Sequence, residues 1–364
     1  MTKLHTIRGS TKPDVLLIKT GGTIAQKPDK EGILRPSSQD YLPRVEGLKS
    51  IANVTIADLG SIDSTNMETV STLHGKKSGD DRATIAKVIF DNSHKYDGFV
   101  VIHGTDTMAE TAAALNYMLP NFGKPIVLTG SQRSIWVPRS DAQNNVYTAV
   151  KTAVSDIGEV VIAFGNFVLR GSKARKVDEE GYDAFDTPGV EPLGRITSLS
   201  EGVRIFDHRI KRHAFSPEIF TEFDTNVFNY YHISGAACIN SLLRVASDKE
   251  IHGFLIGGFG AGNIPDKLLP FIEKAVKNDK PVYIYTTCDL GAADMGIYSV
   301  GAAPLRLGAQ SAGDMTLEAL GQKLMFALGK VQTRGLVGTD KMIFVESIIK
   351  TPYNNDITVV EKRR

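Results

Sequence analysis

Short apolar runs alternate with longer amphipathic segments along most of the chain. "VLLIK", "DGFVVIHG", "KPIVLTGS" and "GEVVIAFGN" are compact runs rich in β-branched residues, most of them closed by Gly, Ser or Thr. Each predicts a buried strand. Between them, "MAETAAALNYMLP" and "SDAQNNVYTAVKTAVS" carry helical spacing. Thr107 and Glu110 form a T-x-x-E capping box and Ser140 and Gln143 an S-x-x-Q box, so helices are expected to begin there. Strands alternating with helices imply an α/β fold, with a largely parallel sheet covered on both faces.

The alternation pauses between about Arg204 and Thr225, where "RIFDHRIKRHAFSPEIFTEFDT" is charged and irregular. It resumes in "FNYYHISG", "GFLIGGFGAGN" and "KPVYIYTTCD", three more expected strands, and in a helix-like "GDMTLEALGQKLMFALG". "MIFVESII" is expected as a last strand, and the closing "EKRR" as a solvated terminus. The expected division is an N-terminal α/β domain over 1–203, a linker over 204–225 and a C-terminal α/β domain over 226–364.

A chain of 364 residues has room for those two domains. Its formal net charge of +1 argues against a partner held by bulk electrostatics, such as nucleic acid or an anionic membrane. Two cysteines, Cys238 and Cys288, are too few for a disulfide framework and lack metal-site spacing. The opening "MTKLHTIRGSTKPDV" has no apolar core of signal-peptide length, and no run approaches a membrane span. A cytoplasmic protein is the expectation.

In open α/β sheets, ligands bind beyond the carboxyl ends of the strands. The loops "TGGT", "HGTDT" and "TGSQ" and the segment after "FVLR" occupy such places. The first lies in "KTGGTIAQ", where Thr20 and Thr23 flank two glycines. It is neither G-x-G-x-x-G nor a P-loop. Thr105 and Asp106 stand between a strand and a helix start. A hydroxyl nucleophile needs a base. His103 adjoins the second loop but reads as structural, and Lys173 and Lys176 in "GSKARK" read as surface lysines on composition alone. No His, Asp or Glu cluster has metal-ligand spacing, so no metal and no cofactor are expected.

"TGGTIA" followed by "HGTDTMAET" resembles the two signature motifs of bacterial-type L-asparaginases, a family that includes glutaminase-asparaginases and an archaeal tRNA amidotransferase subunit. The resemblance extends through "GKPIVLTGSQ", "RGSKARK", "GYDAFDTP", "GFGAGNIP" and "AGDMTLEA", roughly residues 14 to 330, and is closest to the intracellular type I branch. It implies a larger N-terminal domain with a left-handed crossover and a smaller flavodoxin-like C-terminal domain. It implies Thr23 as nucleophile, its glycines giving the substrate backbone access. Thr105, Lys176 and Asp106 then form the set that activates a hydroxyl or water, with Lys176 desolvated and Lys173 a solvated charge. Ser64 matches the serine that holds the substrate α-carboxylate, with Thr65 beside it, and Asp106 would also bind the α-ammonium group. Asn263 matches a residue lent by a neighbouring subunit, so a homodimer or homotetramer is expected.

One departure stands out. The family places a tyrosine in the loop after T-G-G-T-I-A, where this chain has Ile33, and the next tyrosine is Tyr41. The implied activity is hydrolysis of L-asparagine to L-aspartate and ammonia. The alternatives are glutamine or another small amide, or a catalytically weak amino-acid-binding member. The amidotransferase subunit is disfavoured because T-G-G-T begins close to the N-terminus.

Overall fold

The computed structural model describes residues 4–7, 12–69, 82–198, 202–214, 216–236, 238–296 and 299–358. The "EKRR" tail lies outside the described residues. The chain divides into two compact units, Met1–Thr221 and Glu222–Arg364.

The first unit is built on a nine-stranded mixed sheet. Its order is Leu4–Ile7, Asn53–Ile62, Asp14–Gly21, Gly98–Ile102, Ile126–Thr129, Val160–Phe164, Phe167–Arg170, Gly194–Ile196 and Val203–Ile205. The five from Asn53–Ile62 to Val160–Phe164 run parallel, and antiparallel strands flank them on both sides. Side chains alternate across a strand. Val15, Leu17, Val100, Ile102, Val127 and Val161 join one core with Ala142, Val146, Ala149 and Val150 of the helix Ala142–Ala153. Leu16, Ile18, Phe99, Val101, Leu128 and Ile162 point the other way and are equally buried. Burial on both faces is why these strands read as unbroken apolar runs.

The second unit has a four-stranded parallel sheet, ordered Val227–Tyr231, Gly253–Gly258, Val282–Thr286 and Gln310–Ser311. "MIFVESII" is not a strand here but part of the helix Gly338–Lys350. Its buried residues are Val345, Ile348 and Ile349, at helical spacing. A short apolar run leaves that choice open, and the burial of one stripe decides it. A buried ion pair, Lys323 Nζ to Asp356 Oδ2 at 2.8 Å, fixes the chain beyond this helix.

The expected linker also differs. Val203–Ile205 is an edge strand of the first sheet. Beyond it, Arg209 donates to the Asp156 carbonyl and carboxylate, and Arg212 donates to the carbonyls of Ser155, Asp97 and Ala153. Arg209 and Arg212 thus satisfy carbonyls at and beyond the end of the helix Ala142–Ala153, so two of the charges that made this stretch look like a linker are tied into the first unit. No helix among the described residues is long and apolar enough to cross a membrane.

Candidate active site

The first loop leaves the central strand Asp14–Gly21. Gly21 and Gly22 have φ of 107° and 87°, a region that side-chain-bearing residues rarely occupy. Packing shows a second reason for glycine. A Cβ on Gly22 would lie 2.8 Å from the Gly104 nitrogen, and one on Gly104 would lie 2.3 Å from Ser64 Oγ. Three loops thus pack closely: the one carrying Thr23 meets the one carrying Thr105 backbone to backbone, and the latter meets the Ser64 side chain. The space opened at Gly22 is taken by the neighbouring loop.

Thr23 begins a single 3-10 turn, Thr23–Ala25, closed by Gln26 N donating to Thr23 O at 3.1 Å. Its side chain is half-buried. Ile135 N donates to Ile24 O and Ser134 Oγ to Gln26 O, pinning the turn from outside. Thr20 differs: it is buried, and its hydroxyl donates to Ile102 O at 2.8 Å. One of the paired threonines is structural and the other is reachable.

The second loop joins the strand Gly98–Ile102 to the helix Met108–Met118. Thr105 is buried, and Asp106 is half-exposed. Thr107 occupies the N-cap without making the expected capping bond. Its hydroxyl instead donates to Ser64 O at 2.7 Å, lacing two loops together. The second expected box also fails to form: Asp141 is the N-cap, and Ser140 Oγ accepts from Ala142 N. His103 is buried, with Nδ1 2.7 Å from Gly104 O and Nε2 2.9 Å from Thr111 Oγ1. A carbonyl only accepts, so Nδ1 carries the proton and Thr111 donates to Nε2. Burial pushes His103 down to about 4, which keeps it neutral and structural. Arg82 supports the same region, donating from Nε to Thr111 Oγ1 at 2.9 Å and from Nη1 to Met67 O at 3.1 Å.

Lys176 sits in a two-residue strand, Arg175–Lys176, paired with Phe185–Asp186. Its Nζ donates to Thr105 Oγ1 at 3.1 Å and to Asp106 Oδ1 at 2.9 Å. It also pairs with Glu179 Oε2 at 2.6 Å. Burial lowers its proton affinity, but the bonds to Glu179 and Asp106 outweigh burial and hold it above the ordinary lysine value. The resting site therefore carries an ammonium. Lys173, expected as a solvated charge, is only 1% exposed, within the 3-10 turn Gly171–Lys173.

The loop beyond Ala25 folds as a small hairpin, Lys27–Pro28 against Leu34–Arg35. Asp29 organises its tip, accepting from Arg35 Nε, Ile33 N and Glu31 N. These bonds, that of Arg35 first, hold its carboxyl below the usual range. Ile33 is 52% exposed at that tip. Tyr41, the next tyrosine along the chain, is buried in the core beneath the Lys19 ammonium. Burial pushes its phenol well above the usual value.

Thr65 is exposed, its hydroxyl donating to Asp63 Oδ1 at 2.7 Å, while Ser64 beside it is buried. Asn263 belongs to the second unit, in a turn closed by reciprocal backbone bonds with Phe259 at 2.8 Å. Its Oδ1 is buried without a hydrogen-bond partner among the described residues. Of the residues singled out in sequence, Thr105, Asp106 and Lys176 are in direct contact, and Thr23 and Ser64 sit on loops packed against theirs. Glu179, Arg82 and the lacing role of Thr107 were missed. An exposed glutamate in an acidic stretch and an arginine opening a helix carry no distinguishing local signal. Among the described residues no group of His, Cys, Asp and Glu is arranged to hold a metal ion.

Residues 14–211 match the family model "Asparaginase, N-terminal", and residues 230–336 match "Glutaminase/Asparaginase C-terminal domain". A protein named L-asparaginase from Thermococcus kodakarensis is 32% identical over 320 residues, 86% of this chain and 92% of that one. A subunit of the glutamyl-tRNA(Gln) amidotransferase from the same organism is 32% identical over 356 residues, 95% of this chain and 77% of that one. Among solved structures, the thermostable L-asparaginase from Thermococcus kodakarensis superposes with a TM-score of 0.83 at 30% identity, covering 95% of this chain and all of that one.

Proposed function

Because the chain belongs to the asparaginase family, we propose that it hydrolyses the side-chain amide of a small amino acid, with L-asparagine as substrate. The observation that carries this reading is the contact set of Lys176 with Thr105 and Asp106, on a loop packed against the one bearing Thr23.

In the proposed reaction Thr23 Oγ attacks the amide carbon and its proton passes to the leaving nitrogen, releasing ammonia and leaving an acyl ester. In this reading backbone N–H groups of the glycine turn stabilise the oxyanion. A water, deprotonated through Thr105 and a neutral Lys176, then attacks the ester, freeing aspartate and restoring the Thr23 hydroxyl. Ser64 holds the α-carboxylate, with Thr65 beside it, and Asp106 takes the α-ammonium. Asn263 completes the site of a neighbouring copy, so the active form is a homodimer or homotetramer. Both cysteines are exposed free thiols, which supports a reducing, cytoplasmic setting.

A second reading is favoured by the relatives named as amidotransferase subunits, one of which aligns over 95% of this chain. In it the same site releases ammonia for a partner subunit. Ammonia release from the purified protein, tested on asparagine, glutamine and their D-forms, separates the two. Turnover of asparagine above that of glutamine, without a partner, supports the first. Turnover of neither amide without a partner subunit overturns it. The exposed Ile33 cannot donate a hydrogen bond to Thr23, which leaves room for glutamine or another amide as the better substrate, or for slow acylation.

Gly22→Ala is expected to lower kcat/KM by about a hundredfold, because a displaced loop misplaces the reacting groups. The added methyl meets Gly104 backbone at 2.8 Å, where no flexible side chain can yield. Near-native activity would show that this contact does not hold the site together.

A further inference from the structure

The Lys176 ammonium carries two carboxylates, and the reaction above uses only one of them. Asp106 Oδ1 lies 2.9 Å from Nζ and Glu179 Oε2 lies 2.6 Å from it. The Glu179 backbone is held from outside the segment. Gln132 Nε2 donates to Glu179 O at 2.7 Å and to Gly181 O at 3.1 Å. Asp178 Oδ1 accepts from Glu180 N and Gly181 N, closing the turn. The carboxylate is thereby brought back over the lysine.

Among the described residues, the other elements around Lys176 carry these charges. Across the short ladder Lys176 faces Phe185, while Asp186 lies opposite Arg175. The helix after Asp106 carries Glu110, whose charge acts on Arg82. Thr105 contributes only a hydroxyl. Among the described residues, the charges that act on Lys176 are those of Glu179 and Asp106.

We propose that Glu179 sets how readily Lys176 gives up its proton, and so fixes the acid limit of turnover. This rests on Lys176 acting as a base in the proposed function. When the substrate α-ammonium binds Asp106, Lys176 loses one ion pair and gains a neighbouring like charge. Both changes disfavour its ammonium form, and the proton leaves to solvent. Glu179 opposes that loss, because it stays beside Lys176 whether or not substrate is bound. The free enzyme thus has two carboxylates on the lysine and the complex has one. The acid limb of kcat/KM, which reports the free enzyme, should lie at higher pH than that of kcat, which reports the complex. Glu179 is a tuning residue. Its side chain is 81% exposed, so changing it leaves the core intact.

The test is the pH–rate profile of the intact protein and of Glu179→Gln, Glu179→Asp and Lys176→Met, with ammonia release as the readout. Glu179→Gln is expected to shift the acid limb of kcat/KM to lower pH. On that limb kcat/KM should rise about two- to five-fold, the range an exposed ion pair supplies, with the plateau unchanged. Glu179→Asp should restore the limb toward its original position. Superimposable profiles, or a shift to higher pH, would overturn the inference. If Lys176→Met is inactive while Glu179→Gln matches the parent, only this inference falls. If Lys176→Met retains kcat, the role of the lysine falls with it.

Discussion

Thr23→Ala and Thr105→Ala are each expected to lower kcat by roughly two to four orders of magnitude, with secondary structure and thermal midpoint near those of the parent. The separation of activity from stability follows from where the two hydroxyls sit. Thr23 is half-buried at the start of a turn closed by backbone bonds, and those bonds survive loss of the side chain. Thr105 is buried, but its hydroxyl bonds to Lys176, which keeps Asp106 and Glu179 as partners when that hydroxyl is gone. No charge is orphaned, so the stability cost stays near that of one hydrogen bond, about 1 kcal/mol. Thr20→Ala is the internal control. It removes a buried bond to Ile102 O and should cost a similar amount of stability while sparing kcat. Steady-state ammonia release with circular dichroism melts decides the matter. Near-native kcat in Thr23→Ala would remove Thr23 from the chemistry.

The paired glycines and the two threonine-bearing loops could be read directly from the chain, because strand ends rich in Gly, Thr and Asp mark the carboxyl edge of a parallel sheet. The central strands were legible for a related reason. Burial on both faces leaves an unbroken apolar run such as Val15–Ile18. "MIFVESII" shows where this fails: its length suits a strand, and only tertiary packing selects Val345, Ile348 and Ile349 as one helical stripe. The lysines show another limit. Lys173 and Lys176 lie close together in sequence, yet one is almost fully buried and the other reaches Thr105. Nothing in "GSKARK" states that difference, because side-chain fate there depends on the facing strand Phe185–Asp186 and on the loop at Asp106. Thr107 is a further instance. Its T-x-x-E spacing is that of a capping box, but its hydroxyl is turned to donate to the Ser64 carbonyl and its oxygen accepts no helix N–H. Local motifs set what a side chain can do, and the loops that meet it in three dimensions choose among the options.

The largest stability effect is expected in the second unit, at Lys323 and Asp356. Both side chains are fully buried, and their charges meet at 2.8 Å. Lys323 Nζ also donates to Ile349 O at 2.9 Å and Thr351 O at 2.7 Å, the carbonyls at the end of the helix Gly338–Lys350. Asp356 in turn accepts from Tyr353 N at 2.8 Å. The ammonium therefore joins the helix Leu317–Arg334, the end of the last helix and the chain beyond it. Asp356→Ala strands a desolvated ammonium, and breaking one side of such a pair costs about 3–5 kcal/mol. The double variant Lys323→Met with Asp356→Leu removes both charges and should recover much of that loss, since an apolar pair of similar volume avoids the desolvation penalty. Urea unfolding of the parent, Asp356→Ala, Lys323→Met, Asp356→Leu and the double variant measures both the loss and the coupling. A loss below about 1 kcal/mol in Asp356→Ala would mean that solvent reaches the lysine. Equal losses in the single and double variants would place the stability in the two carbonyl bonds of Lys323, because the double variant gives up those bonds while leaving no charge unpaired.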